Sequence, residues 1–439
     1  MKQREKKRTM AASQLDTDVL IIGAGMSGLC FAVQLQQQYP QRSFAILEKT
    51  DNLGGTWVVN TYPGCGCDVL SHFYSYSFAL KPDWSQAYAQ QPEIWAYFRD
   101  VARRYDVARH IRYRSKVVQA RFDEMTGTWV TTIVEEQTGK TTDMRSRVVV
   151  AAVGALSIPK GCDIRGVDRF KGLLFHSAQW DHSFDWTDKQ VVVIGKTCSR
   201  KASWIVSTAD AIDIKGNGCS ATQFVPILAE GTSDGAANNG IPRGRAQKVT
   251  QFSRQPHWIA ERPNPRWSPA FKWAMAYVPL AMRLYRFWIY VDMESDFLGF
   301  YLASGEKIRG NLTRERIEYM KRTAPEKYHE ALTPKTEIGC KRKVNDTDYL
   351  TCLHNDNVEL VWADPIDEIT ESGVRTKSGR EVSADAIILA NGFETQQVLY
   401  PLDIKGEKGV SLTAHVCENL PFQNYDHWLT QEGKKTVED

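Results

Sequence analysis

An apolar run that ends in a glycine turn constrains this chain more than any other feature. Asp18-Val19-Leu20-Ile21-Ile22 leads into Gly23-Ala24-Gly25-Met26-Ser27-Gly28 and then into LCFAVQLQQQY, whose apolar spacing is helical. Strand, tight turn and helix in that order open a βαβ dinucleotide-binding unit. Gly23 permits the turn, Gly25 lets a pyrophosphate approach the backbone, and Gly28 lets the helix pack close to the strand. The helix N-terminus then faces the phosphates with its backbone N–H groups. A second strand, SFAILE, ends at Glu48, twenty residues past Gly28. Its carboxylate is placed to accept hydrogen bonds from the ribose hydroxyls of an adenosine, which favours FAD or NAD over NADP at this first fold.

Composition narrows the partners. Lys and Arg total 55 against 52 Asp and Glu, a net charge of +3, so no global field attracts nucleic acid and anion binding must be local. The nine cysteines are odd in number and scattered, without metal-ligand spacing. They read as free thiols of a reducing, cytoplasmic compartment, with no metal site. Residues 1–15 read as a solvated, disordered basic arm with no apolar stretch behind it. The most apolar later region, Phe271 to Leu302, is interrupted by Lys272, Arg283, Arg286 and Asp292, so it reads as a packed helical segment and not as a membrane span.

After the acid comes DNLGGTWVVNTYPGCGCDVLSHFYSYSF from Asp51. Gly54, Gly55, Thr56 and Trp57 look like the segment by which flavoprotein monooxygenases lay backbone and an aromatic against the flavin. Tyr62-Pro63-Gly64 with Cys67 and Asp68 extends the match. Disulfide reductases carry cysteine after Gly-Gly-Thr, whereas this chain has Trp57, which argues against a redox dithiol. Further on, Phe170-Lys171-Gly172-Leu173-Leu174-Phe175-His176-Ser177-Ala178-Gln179-Trp180-Asp181 resembles the FxGxxxHxxxW fingerprint, closed by Pro or Asp, of type I Baeyer–Villiger monooxygenases. Ser177 stands where that family more often has Thr. His176 is read as linking two domains and not as a proton donor.

That resemblance implies an α/β fold of two Rossmann-like dinucleotide-binding domains, one for FAD and one for NADP, the second inserted in the first. The FAD domain is expected over 16–160 and 375–439, the latter resting on the strand Asp385 to Phe393. The NADP domain is expected over 161–374, with a helical insertion at 263–332. The resemblance also brings Gly66, Tyr74 and Val117 to the flavin site. Family members continue for about a hundred residues beyond a stretch like Gly409 to Leu412, so the C-terminal part reads as truncated.

The second glycine turn is interrupted. Gln190 to Gly195, QVVVIG, is a buried strand, yet Lys196 to Gly216 stands between it and Asn217-Gly218-Cys219-Ser220-Ala221. Without 196–216 the chain reads VVVIGNGCSATQFVP, a GxGxSA turn carried by Gly195, Gly218 and Ser220. We read this anomalous insertion as a translated intron, since Gly-Lys-Thr can be encoded around a 5′ splice-site consensus; the alternative is a genuine surface insertion between strand and helix. The strand VTQF then ends at Arg254 and Gln255; an arginine there pairs with a 2′-phosphate, which implies NADPH. The resemblance adds Lys341 at the same phosphate.

Gly339-Cys340-Lys341-Arg342, followed by Asp346 to Leu350, looks like the family's catalytic stretch, with Arg342 as the active-site arginine and Asp68 as the carboxylate that orients it. In a Baeyer–Villiger oxidation both the oxidant and the rearranging adduct are anionic, and a guanidinium stabilises both without giving up a proton. The expected reaction uses NADPH and O2 to place one oxygen beside the carbonyl of a small ketone, giving an ester or lactone. The nearest resemblance is to fungal secondary metabolism of the aflatoxin and sterigmatocystin kind. The alternatives are an N- or S-oxygenating flavin monooxygenase and an inactive nucleotide-binding remnant.

Overall fold

The computed structural model describes residues 15–195, 219–232, 240–301, 304–340, 343–394, 399 and 401–412. They form two compact units. The first draws on Met1–Val58, Trp95–Ile158 and Phe393–Asp439, and the second on Val59–Ile94 and Pro159–Gly392.

The first unit is built on β1 (Thr17–Ile22), β2 (Phe44–Leu47), β3 (Ile111–Arg112), β4 (Ser115–Asp123), β5 (Thr128–Glu135) and β6 (Thr141–Ala151), with α1 (Met26–Gln38) joining β1 to β2. β1 pairs in parallel with both β2 and β6. A strand so enclosed is covered on both faces, which is why it reads as an unbroken apolar run and not as an alternation. β4, β5 and β6 make an antiparallel meander, and Asp403–Lys405 returns late in the chain to edge it beside β4. Leu20, Ile22, Leu47, Val117, Ile133 and Ile404 form the core. Two helices complete the unit's description, the short α2 (Thr56–Val59) and α3 (Gln91–Arg104), which begins just before Trp95.

The second unit holds β7 (Leu173–His176), β8 (Gln190–Ile194), β9 (Lys248–Phe252), β10 (Ile259–Ala260), β11 (Val344–Asn345), β12 (Val358–Val361), the antiparallel trio β13 (Ile366–Thr370), β14 (Gly373–Thr376) and β15 (Glu381–Ser383), and β16 (Ala386–Leu389). Five of these strands form one parallel sheet in the order β12-β9-β8-β16-β7. Its helices include α4 (Cys219–Glu230), α5 (Pro269–Tyr277), α6 (Ala281–Phe297), α7 (Glu306–Thr323) and the short α8 (Tyr349–Cys352). The molecule is therefore an α/β protein with two nucleotide-binding-type sheets.

Three expectations change. The strand 386–389, expected to rejoin the FAD fold, lies in the second sheet, in parallel register with both β7 and β8. Residues 59–94, expected with the first fold, cluster with the second. The apolar segment from Phe271 is helical, but it is not packed all round: Leu284, Phe287, Trp288 and Val291 of α6, at i, i+3, i+4 and i+7, are 48–63% exposed. No described helix is long and apolar enough to cross a membrane. Residues 1–14, the stretch 196–216 and the segment beyond 412 lie outside the described residues.

Candidate functional site

The first unit brings Gly23, Gly25, Gly28, Glu48, Gly55, Thr56 and Trp57 to the C-terminal end of β1. Gly23 has φ +105, and a Cβ on Gly28 would stand 2.0 Å from the Gly23 carbonyl oxygen, so the helix can meet the turn only through a bare backbone. No side chain caps α1 at Gly25, and its first turn holds no acid. The helix end is thus left positive and suited to an anion. The second glycine loop reaches the same place: Gly54 N–H donates to the Ala24 carbonyl at 3.0 Å. A Cβ on Gly55 would lie 2.9 Å from the Cα of Gly25, and one on Gly25 would lie 3.4 Å from the Cα of Gly55. Two stretches of naked backbone therefore face each other, and a side chain on Gly55 would clash with the Gly25 backbone.

Glu48 is 5% exposed and already engaged. It accepts from Ala24 N–H at 2.8 Å, and from the N–H and hydroxyl of Thr50 at 2.9 and 3.0 Å. A carboxylate offers about four acceptor positions, so one remains for a ribose hydroxyl. Trp57 is buried, at 7% exposure. Trp95 is a participant that the sequence did not flag: its indole N–H donates to the Leu53 carbonyl at 2.8 Å, and a Cβ on Gly54 would strike its ring at 2.8 Å. Only an aromatic helical pattern announces it. Val117, on β4, shares a core cluster with Leu20 and Ile22 and adjoins a register shift between Val117 and Gln119.

The second unit holds the loop from Tyr62 to Asp68 and clamps it against α4. Gln223, buried on that helix, accepts from the Tyr62 hydroxyl at 2.9 Å and from Gly66 N–H at 3.3 Å, and donates to the Gly66 carbonyl at 3.1 Å. Gly64, φ +75, has no room for a side chain, because a Cβ would lie 2.8 Å from the Gln223 carbonyl oxygen. Cys67 Sγ accepts from Val69 N–H at 3.3 Å, and Asn345 donates to the Asp68 carbonyl at 3.0 Å. Cys65 and Cys67 form no disulfide among the described residues, and burial pushes the Cys65 thiol up to about 12, which leaves it inert. Tyr74 is half-buried.

The fingerprint segment assembles this unit. Gly172 lets β7 approach β16 closely, for a Cβ would lie 2.5 Å from the Asp385 carbonyl oxygen. His176 Nδ1 accepts from Ala178 N–H at 3.0 Å, so its Nε2 carries the proton and donates to the Gly392 carbonyl at 3.1 Å. Burial holds this imidazole below its ordinary pKa and therefore neutral. Trp180 packs between Phe175 and Phe224, and Ser177 Oγ lies 3.4 Å from Ser220 Oγ at the start of α4.

Gly195 closes β8, its N–H bonded to the Phe252 carbonyl at 3.1 Å. Arg254 is exposed just beyond the end of β9, and Gln255 beside it is half-buried. Gly218, Lys341 and Arg342 lie outside the described residues. The stretch expected to be catalytic acts, where described, as a joint. Asp346 accepts from the Tyr319 hydroxyl at 2.8 Å and from Tyr349 N–H at 2.9 Å, while Thr347 Oγ1 donates to the Thr222 carbonyl at 2.7 Å. Burial raises the Asp346 carboxyl above its usual range, against these hydrogen bonds.

Residues 16–220 match the profile of the flavin-binding monooxygenase-like family. The chain is 34% identical to the FAD-binding monooxygenase ktnD of Aspergillus niger over 90% of its own length and 60% of that protein's. It is 32% identical to the FAD-binding monooxygenase BOA2 of Botryotinia fuckeliana, covering 89% of this chain and 68% of that one. With a Baeyer–Villiger monooxygenase of Streptomyces coelicolor it shares 31% identity over 90% and 67% of the two chains. Similar solved structures include an oxidized steroid monooxygenase bound to NADP, with TM-score 0.71 and 28% identity over 92% of this chain and 76% of that one. OTEMO complexed with FAD and NADP aligns with TM-score 0.72 and 26% identity, over 92% and 77%.

Proposed function

Because this chain belongs to the flavin-binding monooxygenase-like family, we propose that it is a Baeyer–Villiger-type monooxygenase that binds FAD, takes hydride from NADPH and uses O2 to insert one oxygen beside a ketone carbonyl. The observation that carries this is the pair of glycine segments at the end of β1, where Gly25 and Gly55 meet backbone to backbone with no space for a Cβ on Gly55. Bare backbone there fits a pyrophosphate and the planar group attached to it. Bound FAD would supply the hydride acceptance and oxygen activation that side chains cannot.

The chain's own residues bind, orient and polarise. Gly23, Gly25 and Gly28 present backbone to the pyrophosphate, and Glu48 offers its remaining acceptor position to a ribose hydroxyl. Gly55, Thr56, Trp57, Gly66, Cys67, Tyr74 and Val117 are the further flavin contacts on this proposal. Arg254, with Gln255 and Lys341, receives the 2′-phosphate of NADPH, while Gly195, Gly218 and Ser220 form the turn at its pyrophosphate. Asp68 orients Arg342, and the Arg342 guanidinium stabilises the negative charge that develops on the former carbonyl oxygen. Arginine suits the task because it stays charged when desolvated. We extend this to a secondary-metabolite ketone, a polyketide of the aflatoxin and sterigmatocystin kind, as substrate, and to a cytoplasmic setting from the scattered cysteine spacing of the sequence.

The test is product analysis with FAD, NADPH and paired ketone and thioether substrates, for the full chain and its Arg342→Ala variant. The expected result is ester from the ketone, lost in the variant while NADPH still reduces the flavin. Sulfoxide as the sole product, or unchanged ester formation in Arg342→Ala, contradicts the proposal.

A further inference from the structure

Arg262 lies between β10 and α5, in the segment Glu261-Arg262-Pro263-Asn264, whose last two residues fall in the helical insertion expected from the sequence. Its surroundings are ordered by two short antiparallel contacts. One joins Gly66 to Gln90, supported by Cys67 N–H donating to the Ala89 carbonyl at 3.1 Å. The other joins Gln86 to Arg266, with Ala87 N–H donating to the Pro265 carbonyl at 3.1 Å. Asn264 grips Tyr88 from both sides, accepting from its N–H at 2.8 Å and donating to its carbonyl at 3.2 Å. Residues 85–90 are thus sandwiched between the loop carrying Asp68 and the segment carrying Arg262.

Within that sandwich the guanidinium stacks on Tyr88, its central carbon 4.5 Å from the ring centroid, and Nη2 donates to the Cys67 carbonyl at 2.9 Å. The Nε–H is buried with no hydrogen-bond partner among the described residues. A cation in this setting needs a compensating anion. Burial lowers the Arg262 pKa, and the strongest opposing influence is the negative charge of Asp68.

We infer that Arg262 is a positioning residue for Asp68: it pins the backbone of the preceding residue and forms with the Asp68 carboxylate a charge pair independent of residue 342. This rests on the proposed function for its catalytic meaning, because Asp68 is there the group that orients Arg342. The pairing itself needs only the second unit. One arginine would hold the carboxylate in place, leaving its orientation available to the other.

A double-mutant cycle tests it on the full chain, with Arg262→Met, Asp68→Asn and the double variant followed by thermal unfolding. Asp68→Asn strands a buried cation, so each single lowers the midpoint and the double falls no further than the worse single. Strict additivity of the two losses overturns the inference. Arg262→Lys, which keeps the charge on a different geometry, is expected to retain part of the coupling and guards against a variant that fails to fold. A second readout uses the FAD-loaded protein with NADPH and a ketone. Arg262→Met and Asp68→Asn are each expected to lose at least about tenfold in ester formed per NADPH consumed, with no further loss in the double. Full coupling of NADPH to ester in Arg262→Met overturns the catalytic half. If the unaltered chain oxidises no ketone, the proposed function fails, and the unfolding cycle still decides whether Arg262 and Asp68 are paired.

Discussion

His72 shows how a single side chain sets a pH limit on the second unit. It is 1% exposed and sits edge-on to Trp267, Phe271 and Tyr285, with ring centroids 5.3–5.9 Å away. Burial, helped by the nearby charges of Arg286 and Lys81, pulls its pKa from 6.5 to about 4. Arg286 of α6 also donates to the His72 and Phe73 carbonyls and, at 2.8 Å, to Ser75 Oγ, which fixes the loop around the ring. A base whose folded pKa is depressed binds its proton more readily when unfolded. Stability is therefore full above pH 6.5 and falls as the pH drops from 6.5 towards 4, by about 3 kcal/mol in all. Unfolding midpoints measured across that interval should show the slope, and His72→Phe should flatten it. An unchanged slope in that variant would assign the pH dependence to other groups.

At the scale of elements, α4 is the organiser of the second unit. Through Gln223 it holds Tyr62 and Gly66, through Phe224 it packs Trp180, and through the Thr222 carbonyl it receives Thr347. Gln223→Leu removes three hydrogen bonds and leaves buried polar partners, so a loss of about 2–4 kcal/mol in denaturant unfolding is expected, together with weaker FAD retention. Full stability with normal flavin content would show that the loop is held some other way. The strands β1, β2, β8, β9 and β16 were legible in the sequence because buried apolar runs end at glycine or charge. The sheet to which β16 belongs was not legible, since register with β7 and β8 is decided by pairing across the fold and not by composition. The Gln223 clamp was equally hidden, spanning 157 residues, and Arg262 sits in a Pro-rich loop that carries no periodic signal. Helical periodicity correctly marked α6, yet it could not say that Leu284, Phe287, Trp288 and Val291 would face outward.

For the whole molecule, the two sheets follow from two glycine-ended strands, and the fingerprint segment is built into the second of them. Gly172 is a close approach, His176 ties β7 to Gly392, and Trp180 is a wedge against α4. The interruption at 196–216 bears on the second fold as a whole, since β8 ends at Ile194 and the described chain resumes directly as α4 at Cys219. Removing Lys196 to Gly216 is expected to tighten NADPH binding by at least about tenfold, measured by titration against the full chain. Unchanged affinity would mean that the stretch does not disturb the turn. The central proposal is oxygen insertion by a flavin-binding fold. Its most direct measurement supplies FAD, NADPH, a ketone and isotopically labelled dioxygen, then weighs the product by mass spectrometry. An ester carrying one labelled oxygen is predicted; ester without label, or ketone recovered unchanged from protein that has bound FAD, would contradict it.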